Sequence, residues 1–137
     1  MDNHKTVLTV GVFDMIHYGH VELFRRAKAL GDKLIVAVQD SSTVLKYKPS
    51  ATLVESTEMR AYMVSAIRYV DEVVIYTDVD KLVRELDFDI FVTGGDQNHK
   101  GFQDATSWCT SHGRQVVSLP RTEGVSSSAL KEQIKQQ

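Results

Sequence analysis

Five short apolar runs punctuate the chain, at residues 6–10, 33–39, 72–76, 89–93 and 114–119. The second, KLIVAVQ, is almost continuously apolar, which suits a strand covered on both faces in a parallel sheet. Between the runs the apolar spacing becomes helical. Leu23, Phe24, Ala27 and Leu30 share one side of residues 21–30, and Glu22, Arg25, Arg26 and Lys28 take the other. Ser56 or Thr57 can cap a helix whose apolar side is Met59, Met63, Ala66, Ile67 and Val70. Asp78 or Asp80 starts a short helix through Leu86, and residues 102–111 form another that ends at Gly113. Ser126, Ser127 and Ser128 offer capping hydroxyls for a last helix at 129–135. Residues 40–55 are polar and aperiodic and read as a loop, long enough to suggest function rather than plain connection. Strands alternating with helices predict one three-layer α/β domain over residues 1–137, Rossmann-like, with a five-stranded parallel sheet.

Composition adds mainly exclusions. With 137 residues, 42% of them apolar and 25% charged, the chain is an ordinary globular domain in which no region needs disorder to explain it. A formal net charge of −2 argues against a nucleic-acid binder, which would carry a basic excess. Cys109 is the only cysteine, so no internal disulfide can form, and it reads as a small buried thiol. Residues 1–5 lack the basic-then-apolar pattern of a signal peptide. No apolar run approaches the roughly 18–20 residues of a membrane span. A cytoplasmic location is the expectation.

In open parallel sheets the ligand sits beyond the carboxyl ends of the strands, where strand order reverses. Three segments fall there: residues 11–20 after the first run, 94–96 after the fourth and 121–128 after the fifth. His17 and His20 are three apart, so in a helical first turn they share a face. They could be structural, a metal pair or donors to an anion. No convincing third ligand stands near them. Gly19 between them, and their place where a strand gives way to a helix, favour a phosphate at the positive end of the helix dipole. Lys46 and Lys48 flank Tyr47 in the polar stretch, and Arg60 and Arg68 are eight residues apart in one predicted helix, near one face. Trp108 reads as core. His4, His99 and His112 read as surface residues, with the loop of His99 and Lys100 bordering a second ligand.

The segment GVFDMIHYGH, residues 11–20, resembles the HxGH signature of the nucleotidyltransferase superfamily. IRYVDEV at 67–73 and RTEGVSS at 121–127 are similar to motifs of bacterial glycerol-3-phosphate cytidylyltransferases, and order and spacing agree from about residue 7 to 134. The resemblance implies a Mg2+-dependent cytidylyltransferase, with CTP and a phosphorylated alcohol giving a CDP-alcohol and pyrophosphate for a cell-envelope or capsular polymer. By the same resemblance the enzyme is a homodimer, and IRYVDEV also fits a subunit interface.

The implied roles follow the motifs. His17 and His20 donate to the triphosphate and the transition state, and with Lys46 and Arg121 they form the catalytic set. Gly11, Val12 and Phe13 supply backbone contacts to the nucleotide, while Asp14 orders the turn. Gly94, Asp96, Arg121, Thr122, Gly124, Ser126 and Ser127 complete the nucleotide site, with Asp96 also the metal ligand. Lys46, Lys48, Arg60 and Arg68 face the acceptor. One departure concerns that acceptor: relatives acting on glycerol phosphate carry two acidic residues and a tryptophan after the fourth strand. This chain has Gly94-Gly95-Asp96-Gln97, closer to enzymes acting on heptose phosphates. An adenylyltransferase on a sugar or vitamin phosphate and a nucleotide sensor without turnover are the alternatives.

Overall fold

A computed structural model describes residues 4–94 and 99–120. Ten elements follow one another: β1 (Thr6–Gly11), α1 (Tyr18–Lys28), β2 (Lys33–Gln39), α2 (Ser41–Tyr47), α3 (Thr57–Ser65), β3 (Glu72–Tyr76), α4 (Val79–Glu85), β4 (Ile90–Gly94), α5 (Lys100–Ser111) and β5 (Gln115–Leu119). The strands form one sheet in the order β3-β2-β1-β4-β5, and every pairing is parallel. The reversal of strand order therefore lies between β1 and β4, next to the segment that carries the histidines. The last expected helix, at 129–135, lies outside the described residues.

Alternation along the strands divides the core into two layers. Leu8, Val10, Ile35, Ala37 and Phe91 pack with Val79, Val83, Phe102, Ala105 and Cys109 beneath α4 and α5. Val7, Leu34, Val36, Val38, Ile90 and Val92 face Phe24, Ala27 and Val64 of α1 and α3. The inner strands are buried on both faces, whereas β3 and β5 stay half open, which accounts for the unbroken apolar runs at 6–10 and 33–39. Gly31, just before β2, cannot carry a side chain without conflict. A Cβ there would stand 2.6 Å from the Lys5 carbonyl oxygen and 2.8 Å from Val7 Cγ2.

Two expectations need correction. Part of the stretch read as a loop is helix α2, capped by Asp40, whose carboxylate accepts the Ser42 N–H at 3.1 Å. Only Thr43 and Val44 of α2 are buried, so one turn of contact leaves no periodic stripe to detect. Helix α3 shows its apolar residues to solvent and its arginine to the core: Met59, Tyr62 and Met63 are exposed, while Arg60 and Val64 are buried. Ala66 is its C-cap, and Ile67 and Val70 pack on the core from the turn that follows. An arginine counted as polar hid the inward face.

Candidate functional site at the carboxyl end of the sheet

Beyond Gly11 the chain makes a tight, strained turn before α1. Phe13 and Met15 both take left-handed backbone conformations, φ +55° and +60°, which side-chain-bearing residues adopt only where their surroundings enforce it. Several contacts enforce it here. The Phe13 ring is buried, edge-on to Phe24 and His20 with centroids 5.1 and 5.5 Å away. Asp14, 3% exposed, accepts the backbone N–H groups of Val54 and Glu55, each at 2.9 Å. Glu55 Oε1 accepts the Met15 N–H at 2.8 Å. Asp14 thus orders the turn by binding a second segment to it.

The histidines close the turn onto α1. His17 is the N-cap, and its Nδ1 accepts the Gly19 N–H at 3.0 Å. His20 returns the bond, its Nδ1 accepting the His17 N–H at 3.2 Å. Two imidazoles make a reciprocal capping box, a task that usually falls to a hydroxyl and a carboxamide or carboxylate. The rings stack with centroids 3.9 Å apart at 26°. Because each Nδ1 accepts a hydrogen bond, the proton of each neutral ring sits on Nε2, so each ring carries an Nε2–H donor at a helix N-terminus. Such donors, set in advance beside the positive end of α1, suit an anion whose charge grows during reaction.

Behind the turn lies Arg60, fully buried. Its Nη1 donates to the carbonyls of Val12 and Gln39, both at 2.8 Å, so the ends of β1 and β2 are tied together. Its Nε donates to the Glu55 carbonyl at 3.2 Å, and its Nη2 to Ser41 Oγ at 2.7 Å and Thr57 Oγ1 at 3.3 Å. All five N–H groups of a guanidinium are used in this way. Burial pushes its pKa down from the usual arginine range, and the carboxylates of Asp14, Asp40 and Glu55 oppose that shift. The expectation that Arg60 faces an acceptor is therefore corrected: it holds backbone, and has no N–H to spare.

Arg68 lies elsewhere in the chain. It is exposed, in the turn that leads into β3, and Asp71, three residues on, pairs with Leu34 near the start of β2. That is the amino end of the sheet, opposite the histidines. Lys46, in the last turn of α2, and Lys48, its C-cap, are exposed on the helix that leaves the carboxyl end of β2, with Lys46 Nζ 5.4 Å from the centroid of the Tyr47 ring. Tyr47 in turn donates its hydroxyl to Asp78 at the start of α4. Gly94 closes β4. His99 caps α5 through the Gly101 N–H, at 3.1 Å. Trp108 is half-buried against the core and stacked on His112, and burial pushes the Cys109 thiol upward against the pull of Arg114. Asp96, Arg121, Thr122, Gly124, Ser126 and Ser127 lie outside the described residues. The sequence reading missed Glu55, Ser41 and Thr57, whose types and spacing suggest only loop and cap.

This geometry can be set beside known proteins. A family model described as cytidylyltransferase-like matches residues 8–133. The chain belongs to the cytidylyltransferase-like family. It is 38% identical to the glycerol-3-phosphate cytidylyltransferase of Bacillus subtilis (strain 168), over 95% of this chain and 97% of that one. It is 37% identical to the enzyme of the same name from Staphylococcus aureus, over 95% of each. It is also 34% identical to the bifunctional protein HldE of Helicobacter pylori, over 98% of this chain and 29% of that one. Among solved structures, the lipopolysaccharide core biosynthesis protein of Thermoplasma volcanium superposes with a TM-score of 0.71, at 28% identity, over 86% of this chain and 96% of that one. The family match makes the chain a nucleotidyltransferase, and its residues 17–20 form the histidine capping box.

A metal site among the described residues would need several clustered ligands. Among those residues no group of three or more His, Cys, Asp and Glu side chains is placed to hold a metal ion. Asp14, the acid beside the histidines, spends an oxygen on each of two backbone N–H groups. The described residues do not form a metal cage.

Proposed function

We propose that this chain transfers the cytidylyl group of CTP to a phosphorylated alcohol, giving a CDP-alcohol and pyrophosphate, with glycerol 3-phosphate the leading acceptor. The observation that carries the reading is the histidine capping box at the strand-order reversal, in a chain that matches glycerol-3-phosphate cytidylyltransferases over almost their whole length. An oxygen of the acceptor phosphate attacks the α-phosphorus of CTP, a new P–O bond forms, and the bond to the β-phosphate oxygen breaks. A phosphate monoester is largely dianionic at neutral pH, its second pKa being near 6, so no general base is needed. The protein's work is to hold two anions in line and to stabilise the charge that develops. The Nε2–H groups of His17 and His20 serve the nucleotide phosphates, and Gly11, Val12 and Phe13 line their approach.

Lys46 and Lys48 of α2 belong to the acceptor side of this reading. Arg121, Thr122, Gly124, Ser126 and Ser127 complete the triphosphate site, and Mg2+ accompanies the triphosphate with Asp96 as its protein ligand, since this ion is usually bound by one or two carboxylates and substrate phosphates. The enzyme works as a homodimer in the cytoplasm, as one domain over residues 1–137. No helix among the described residues is long and apolar enough to cross a membrane.

The test is a panel of phosphorylated alcohols and sugars incubated with CTP or ATP and Mg2+, read by the mass of the product. CDP-glycerol as the main product supports the reading. A preference for ATP would replace it with an adenylyltransferase, and CTP binding without any pyrophosphate release would replace it with a sensor. The Gly94-Gly95-Asp96 segment, which resembles that of enzymes acting on heptose phosphates, gives a sugar phosphate a place in the panel. Sedimentation equilibrium tests the dimer.

A further inference from the structure

Two carboxylates lace the turn between β1 and α1 to a segment some forty residues away, and only one of them belongs to the HxGH stretch. Asp14 takes the N–H groups of Val54 and Glu55, and Glu55 reaches back to the N–H of Met15 at 2.8 Å. Met15 is one of the two residues held at positive φ, and His17, the cap of α1, is two residues on. The Glu55 carbonyl in turn accepts from Arg60, whose Nη1 also holds Val12. Glu55 therefore links the buried guanidinium to the strained turn, with its backbone on one side and its side chain on the other.

We propose that Glu55 is a positioning residue for cytidylyl transfer: its side-chain oxygen, by holding the Met15 N–H, keeps residues 13–15 in the conformation that sets the His17–His20 pair. The proposal rests on the reading given under Proposed function. Glu55 acts through the turn, not on the reacting atoms. What the turn requires is an acceptor of the right reach, not a negative charge. Glutamine supplies one and alanine does not.

The experiment compares wild type, Glu55→Ala and Glu55→Gln in steady-state kinetics with CTP and glycerol 3-phosphate, and in 15N NMR of the imidazoles without substrate. In Glu55→Ala, kcat falls about 10- to 100-fold while KM for CTP changes much less, the pattern of a misplaced transition-state contact. Glu55→Gln stays within about threefold of wild type, since it keeps the acceptor. The spectra of wild type and Glu55→Gln show both rings with the proton on Nε2. Those of Glu55→Ala show mixed tautomers. Wild-type kcat and unchanged tautomers in Glu55→Ala would overturn the proposal. So would a Glu55→Gln variant as impaired as Glu55→Ala. A role confined to stability would lower melting temperature but leave the folded fraction with wild-type tautomers, which also overturns it. If the wild type formed no CDP product, the cytidylyltransferase reading would fall, and the tautomers alone would still decide for or against Glu55.

Discussion

The two ends of the sheet use the same residue type in opposite ways. At the amino end, Asp32, Asp71 and Asp89 each stand one residue before a strand and clasp the neighbouring strand at its start. Asp89 donates its N–H to the Thr6 carbonyl and accepts the Thr6 N–H on its carboxylate, both at 2.8 Å. Asp71 does the same with Leu34, at 2.9 and 2.7 Å, and Asp32 with Lys5, both at 2.8 Å. Three identical clasps set the register of β1, β2, β3 and β4 without strain. At the carboxyl end, Asp14 and Glu55 also bind backbone N–H groups, but they hold a turn with two positive-φ residues above a buried arginine. One end is built to stay closed. The other keeps strained backbone, stacked imidazoles and a helix N-terminus beside the strand-order reversal, where open parallel sheets take their ligands, and strain of this kind gathers at functional sites.

The sharpest way to break this contrast is at Arg60. Arg60→Ala leaves three carbonyls and two hydroxyls without their donor, so urea denaturation should show a loss of about 3–5 kcal/mol, a large part of a domain's stability. A loss below about 1 kcal/mol would mean that water replaces the guanidinium and that the carboxyl end does not depend on this brace. Next comes His20→Ala, which keeps the fold but removes a donor to the developing charge. Pyrophosphate release should fall about 10²-fold or more, and near-normal turnover would remove the histidine pair from the chemistry.

The amino end should answer in stability alone. Gly31→Ala forces a Cβ against the Lys5 carbonyl and should cost about 1–3 kcal/mol with kcat unchanged. A changed kcat would couple the two ends. The smallest effect is at Asp71. Burial alone would raise its pKa, but the Lys28 ammonium and the Leu34 N–H outweigh burial and hold it below its ordinary 3.8. A carboxyl depressed in the folded state stabilises fully above its unfolded value and loses that contribution as pH falls through the folded one. Asp71→Asn should therefore lower stability by about 1 kcal/mol at neutral pH, discounted for its exposure, and this difference should vanish as the pH drops below 3.8. A difference that persisted at low pH would assign the clasp to shape rather than charge.

Much of the scaffold was legible because burial on both faces of a parallel sheet writes itself as apolar runs, and all five runs are strands of the sheet. The HxGH pair was legible as a short motif, and the structure puts both imidazoles at the start of α1, just beyond β1. Arg60 misled because periodicity treats every arginine as solvent-facing, and a guanidinium that satisfies five backbone and hydroxyl acceptors breaks that rule. Glu55 gave no signal at all: its partner, Met15, is a backbone group forty residues away, and nothing in the type of either residue announces the bond.

The sequence by itself determined the order of the described elements apart from α2, the parallel sheet, the family and the pair of imidazoles, because each depends on local periodicity or a short motif. Only the tertiary structure decided that Arg60 faces inward, that Arg68 lies at the far end of the sheet and that Glu55 braces the histidine turn. Those outcomes depend on which backbone groups are left unbonded when the strand ends come together, and that is settled by packing across the whole chain.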